Sequence, residues 1–445
     1  MKILLFSLLA SVTLVGYGAL ATMGSQSPKE MPLGLLLILL LWLAIPALAV
    51  AHWLPRLPRK QAPLWAMVGV AVAARLFFFA VDPYFSDDVY RYLWDGRVQA
   101  AGMQPYGVNP QDPSLDEVEL NWPEEEWVRG RVNHPHVATI YPPLLELVFQ
   151  LVARLGGGLT LWRAVLLIVE LATVWLIVRV LVFRKQDPRQ VVLYLWHPLP
   201  IVELAWSAHA EALAVLLLLG GVVALGEGRK WCAAILVGLG GAAKLLPFGY
   251  LPYLWRRARW GPLGLALGVA GLTLLPFLGV DKDALTGLKA YAESWYFNDM
   301  LFRPLGWLLG IDVKDRSLFA TQFLRCALLG AWVATCGYGM LKVRDPFRAA
   351  AWVVGGFLIL TPTLHPWYLL WMLPFAIINA SRGWLLLSVT VLLAYWVKYA
   401  EWELKEWVEL WPVRAMEFLP PLLLVLWDRD RRRASPGGPA ETPAR

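Results

Sequence analysis

Residues 31–54 read Met31-Pro32-Leu33-Gly34-Leu35-Leu36-Leu37-Ile38-Leu39-Leu40-Leu41-Trp42-Leu43-Ala44-Ile45-Pro46-Ala47-Leu48-Ala49-Val50-Ala51-His52-Trp53-Leu54, and His52 is their one titratable side chain. A helix rising about 1.5 Å per residue covers the hydrocarbon of a bilayer in about 20 residues. The stretch therefore reads as a membrane span. Leu318 to Leu341 reads the same way, mostly apolar apart from Gln322 and Arg325. The whole chain follows suit, with 58% hydrophobic residues, 16% charged and 25 Trp. A transmembrane β-barrel would instead show alternating segments of about 10 residues. The composition predicts an all-α, polytopic helical membrane protein.

The net charge of +7 would suggest nucleic acid in a soluble chain, but here Arg and Lys collect in short loops between apolar runs. Nucleic acid is excluded as a partner, and the lipid bilayer is implied. Cys232, Cys326 and Cys336 all lie in apolar segments and give no disulfide framework. Met1 to Gly24 lacks a small-residue cleavage site after its apolar run, so it is expected to be a retained first helix.

Basic residues accumulate on the cytoplasmic side of a membrane protein. Six basic loops, at Arg56, Arg184, Arg229, Arg256, Lys342 and the tail from Arg429, are placed inside on that rule. Both termini are then expected to be cytoplasmic. Loops 82–140 and 281–317 face outward, and the first is expected to carry amphipathic helices. Two full crossings within 141–183 would put Arg184 and Lys185 outside, so 141–183 is expected to cross once, with the part after Tyr141-Pro142-Pro143 only dipping in. The count comes to about 12–14 membrane segments. Short Gly- and Pro-interrupted stretches at 231–243 and 245–255 suggest broken helices. One transmembrane domain is expected over 1–428, with a disordered basic tail over 429–445.

On this topology the unusual polar residues share the outer face. Asp87 and Asp88 open the first external loop within Ser86-Asp87-Asp88-Val89-Tyr90-Arg91-Tyr92. His209 and Glu211 begin a later span, Lys244 interrupts another, and His365-Pro366-Trp367-Tyr368 forms a turn. Each has a plainer reading. Trp367 would sit at an interface in any membrane protein, His365 would pack or cap, and Lys244 would snorkel to the surface. Ionisable groups in membrane helices nonetheless usually line a cavity. The six histidines complete no metal-binding spacing, while Asp87 and Asp88 together would suit a hard divalent cation.

Together with Gln104-Pro105-Tyr106, Tyr141-Pro142-Pro143-Leu144 and Trp295-Tyr296-Phe297-Asn298, these pieces resemble the polyprenyl-phosphate-sugar-dependent glycosyltransferases of the GT-C superfamily. The bacterial mannosyltransferases and their relatives among the GPI mannosyltransferases are the most similar. The resemblance spans roughly residues 62–400. It implies a GT-C-like fold, a polyprenyl-phosphate-linked sugar donor and a glycan, lipid or protein acceptor arriving from outside. Asp88 corresponds to the family's first-loop acid. Glu211 departs from the pattern, which has Asp after the His motif.

Glycosyl transfer needs a carboxylate to take the acceptor's proton as the bond to C1 forms. Asp88 is the expected general base, with Asp87 beside it as a second acid. Tyr92, Arg91, Tyr141, His209, Glu211, Lys244, Arg303, His365, Trp367 and Tyr368 are the expected substrate-binding residues. Lys244 and Arg303 would face the departing phosphate. The competing class is a transporter or flippase, whose usual signature is a repeated half. No such repeat is visible.

Overall fold

In hydrocarbon every backbone N–H and C=O must find a partner within the chain, so long apolar runs close into helices. The computed structural model describes residues 2–25, 33–56, 63–120, 122, 128–279, 286–315 and 317–434. Six helical stretches among them are long and apolar enough to cross a membrane: Ile3–Gly24, Leu33–Trp53, Leu159–Phe183, Trp260–Phe277, Phe319–Lys342 and Arg382–Glu401. Leu64–Leu76, Glu211–Gly226, Lys230–Ala243 and Pro346–Leu360 are shorter apolar helices. The described residues contain no strand, and one isolated bridge joins Phe297 to Thr363. The protein is an all-α, multi-pass membrane protein.

Several of the expected segments are not single helices, and proline accounts for it. Pro46 has no N–H to offer the preceding turn, and the opening span divides at Leu43 into Leu33–Trp42 and Ala44–Trp53. Pro198 and Pro200 likewise leave Val192–Leu195, Pro198–Pro200 and a π-helical turn, Ile201–Trp206, where one apolar run stood in the sequence. Lys244 has extended backbone between the helix Lys230–Ala243 and the 3-10 turn Leu246–Tyr250.

Within 141–183 the two helices differ in kind. Pro143–Arg154 has 12 residues, about 18 Å at 1.5 Å per residue, too short for hydrocarbon about 30 Å thick. The 25-residue Leu159–Phe183 is the long one. Pro143–Arg154 pairs with the first-loop helix Asp88–Ala100. A Cβ on Gly96 would lie 2.4 Å from the Phe149 carbonyl oxygen, so only glycine permits that approach.

The expectation of disorder from residue 429 needs correction. The helix Trp411–Ala434 runs through the start of that tail, because a run of arginines has good helix propensity. Residues 435–445 lie outside the described residues.

Buried charges link the helices. Arg75 donates to Glu170 through Nε at 2.6 Å and Nη2 at 2.5 Å, and its Nη1 reaches the Ala71 and Leu195 carbonyls. Arg163 donates to the carbonyls of Phe78 and Trp206, and Arg179 pairs with Glu227. Glu170 is therefore the partner of Arg75 and not of Arg163 or Arg179. Removing one member of a buried pair strands the other charge, at a cost of about 3–5 kcal/mol. Arg75→Met should accordingly lower the thermal midpoint in detergent, and adding Glu170→Leu should recover most of the loss. A single variant as stable as wild type would contradict this role for the pair.

Candidate active site

Asp88 is the first residue of the helix Asp88–Ala100, where a carboxylate is favoured by the helix dipole. Its own N–H donates to Ser86 Oγ at 3.3 Å, and Asn133 Nδ2 donates to its Oδ1 at 2.7 Å. The other oxygen, Oδ2, lies 3.9 Å from His209 Nε2, beyond hydrogen-bond reach. One side of the carboxylate is thus anchored and the other faces an imidazole.

His209 sits in the turn between the π-helical Ile201–Trp206 and the helix Glu211–Gly226. Its Nδ1 is 3.0 Å from Glu203 Oε2, and the Tyr395 hydroxyl donates to Glu203 at 2.9 Å. Burial works against the imidazolium. The carboxylates of Glu203, Asp88 and Glu211 outweigh it, holding the His209 pKa above the ordinary value. Trp367 stacks on His209 at 3.9 Å and on His365 at 4.1 Å. Two imidazoles cannot share one face of an indole at those distances, so Trp367 lies sandwiched with both faces covered.

Glu211 and Lys244 form an ion pair at 2.8 Å, and Lys244 Nζ lies 4.9 Å above the Tyr141 ring. Tyr368 and Tyr291 share a hydrogen bond at 2.6 Å between their hydroxyls. Residues far apart in sequence thus converge around Asp88: Tyr141, His209, Glu211, Lys244, His365, Trp367 and Tyr368 all belong to one connected set.

Other expected residues stand apart from it. Tyr92 stacks on Phe149 and meets Tyr141 and Trp162 edge-on, a packing position. Arg91 is committed to Asp95 at 2.8 Å and to the Val137 carbonyl. Arg303 binds Asp299 at 2.5 Å and Glu409 at 2.6 Å, in a separate ionic cluster with Arg414. Asp87 is exposed beside Asp88. Among the described residues no three His, Cys, Asp or Glu side chains are grouped to hold a metal ion.

Glu203, Tyr395, Asn133 and Glu146 were not anticipated. Glu203 carried a usable signal, a lone acid in an apolar run; Tyr395 and Asn133 carried none. Glu146 lies on Pro143–Arg154, fully buried, accepting from Thr139 Oγ1 at 2.6 Å and Gln99 Nε2 at 2.7 Å. Burial and the neighbouring Asp95 carboxylate push Glu146 well above the usual carboxylate range.

A family model described as "Alpha-(1->6)-mannopyranosyltransferase, N-terminal domain" matches residues 4–258, more than half of the 445. The chain belongs to this family. The match takes in Asp88, Tyr141, Glu203, His209, Glu211 and Lys244 and stops short of the Trp367 sandwich. Among family relatives, Alpha-(1->6)-mannopyranosyltransferase A of Mycobacterium tuberculosis (strain ATCC 25618 / H37Rv) is 28% identical over 328 residues, 66% of this chain and 61% of the relative. Alpha-(1->6)-mannopyranosyltransferase B of Corynebacterium glutamicum is 24% identical over 339 residues, 65% of this chain and 54% of the relative. The aligned region thus spans less than two thirds of each relative's length. No solved structure matches. The family agrees with the mannosyltransferase resemblance carried by the sequence motifs.

A buried acid with a raised pKa binds its proton more tightly when folded, so its contribution is greatest below the unfolded value and declines as pH rises towards the folded one. Glu146→Gln keeps the shape and removes the ionisation. Its thermal midpoint should match wild type below the usual carboxylate range and exceed it by a margin that grows as pH rises from that range towards the raised value of the folded protein. Parallel curves of midpoint against pH would show that Glu146 is not the titrating group.

Proposed function

We propose that the protein is a membrane mannosyltransferase that moves mannose from a polyprenyl-phosphate donor to a glycan acceptor at the external face of the bacterial plasma membrane, with both chain ends on the cytoplasmic side. The observation that carries this reading is the convergence of Asp88, held by Asn133, with His209 and the Glu211–Lys244 pair, within a chain of the α-(1→6)-mannopyranosyltransferase family.

The reaction is a single displacement. The acceptor hydroxyl attacks C1 of the mannose and its proton passes to Asp88 Oδ2, the oxygen that Asn133 leaves free. The C1–O bond to phosphate breaks, and the lipid phosphate departs with the electron pair and one more negative charge. Single displacement inverts C1, so an α-linked product requires a β-linked donor. Lys244 supplies the ammonium within the convergent set for the departing phosphate, and its bond to Glu211 holds it facing Tyr141. Arg303, committed to Asp299 and Glu409, is not assigned to the phosphate.

Purified protein should transfer radiolabelled mannose from polyprenyl-phosphate mannose to an α-mannoside acceptor. Asp88→Asn should reduce the rate at least about 10²-fold, the scale of general-base catalysis, while unfolding at the wild-type temperature. A fully active Asp88→Asn variant would remove Asp88 as the base, and transfer from a nucleotide sugar alone would overturn the lipid-linked donor.

A further inference from the structure

The turn that carries His209 is unusual in three independent respects. Ile201–Trp206 is π-helical, a rare geometry that is frequent at functional sites. Ala208 has φ +59, a left-handed conformation that a non-glycine residue adopts only under constraint. Its carbonyl is held by Trp162 Nε1 at 2.8 Å, and the His209 N–H donates to the Glu203 carbonyl at 2.8 Å. The effect of all three is to bring the fully buried Glu203 side chain against His209 Nδ1. An acid in the protein interior is costly unless it is bonded, and this one accepts from Tyr395 with both oxygens at 2.9 Å.

We propose that Glu203 is a positioning residue of the transfer site: it engages His209 Nδ1, so that the opposite ring nitrogen, Nε2, faces the free oxygen of Asp88, and Tyr395 fixes Glu203 for that task. A carboxylate 3.0 Å from Nδ1 favours the ring orientation that keeps that nitrogen towards it and leaves Nε2 for the opposite side. Trp367 covers the ring face and prevents it from tilting. The sequence Tyr395, Glu203, His209, Asp88 then aligns the base from behind. This inference rests on the proposed mannosyl transfer only for its catalytic consequence; the geometry of His209 is separately measurable.

The groups facing His209 are Glu203 on the π turn, Asp88 on the first-loop helix, Glu211 on its own helix and His365 across Trp367. Lys244, which also faces His365, is paired with Glu211. Glu203→Gln removes the nearest carboxylate from this set without changing the shape. The imidazolium should then be lost at lower pH.

The test uses the full chain in detergent, with Glu203→Gln, Glu203→Asp and Tyr395→Phe. Histidine-labelled NMR follows the His209 resonance, identified by its disappearance in His209→Asn. In Glu203→Gln the resonance should titrate at lower pH than in wild type. Its kcat should fall about 10²-fold, with donor KM little changed and the alkaline limb of the pH profile moved to lower pH. Glu203→Asp should restore part of the rate, and Tyr395→Phe should show a smaller change in the same direction. If Glu203→Gln does not fold, Tyr395→Phe carries the same readouts. An unshifted His209 titration, or wild-type kcat and pH profile in an active variant, overturns the proposal. Wild-type protein that transfers no mannose sinks the proposed function and the catalytic part of this inference, while the NMR titration still decides whether Glu203 controls His209.

Discussion

Arg75 and Glu170 meet across 95 positions of sequence in surroundings where neither charge has water. In an apolar medium an unpaired charge is costly enough that the fold must bring partners together. The same constraint recurs where Arg163 takes the carbonyls of Phe78 and Trp206, where Lys244 meets Glu211 and where His209 meets Glu203. Apolar helices in lipid have little hydrophobic reason to choose one neighbour over another. The paired charges supply that choice, since each one fixes which segments lie side by side.

The candidate site arises from that pairing. The acids Asp88, Glu203 and Glu211 come from three separate elements, with the imidazole of His209 and the ammonium of Lys244 placed among them. Mixed charge of this kind is suited to the proposed transfer, in which a proton moves one way and the departing group gains charge on the other side. Aromatic rings close the arrangement: Tyr141 lies under Lys244, and Trp367 separates the two imidazoles. Arg303 belongs elsewhere, in a clasp that ties the second loop to the C-terminal segment through Glu409 and Arg414.

The fold class was legible because helix formation in lipid follows directly from run length and apolarity. Asp88, His209, Glu211 and Lys244 were legible because an ionisable group is conspicuous in an apolar sequence. Pairings were much less so. Glu170 has Arg163 and Arg179 close by in sequence, and local spacing gave no reason to look 95 positions away. Tyr92 and Trp367 illustrate the converse difficulty: aromatic side chains beside a site look alike in sequence whether they bind or pack. Tyr92 packs on Phe149, and Trp367 has no face left to offer a sugar ring. Asn133 could not be found at all, because a loop asparagine has no sequence signature until the loop has folded back onto Asp88.

The left-handed Ala208 also has a meaning for anyone handling the protein. A non-glycine residue held at φ +59 gives up about 1–2 kcal/mol relative to right-handed backbone, and glycine would escape most of that. Ala208→Gly is therefore one of the few places where glycine relieves strain in the folded chain, at the expense of a more flexible unfolded one. The turn presenting His209 would be freer to wander. Protein engineers seeking a sturdier specimen and biochemists seeking a faster catalyst would want opposite residues at this position.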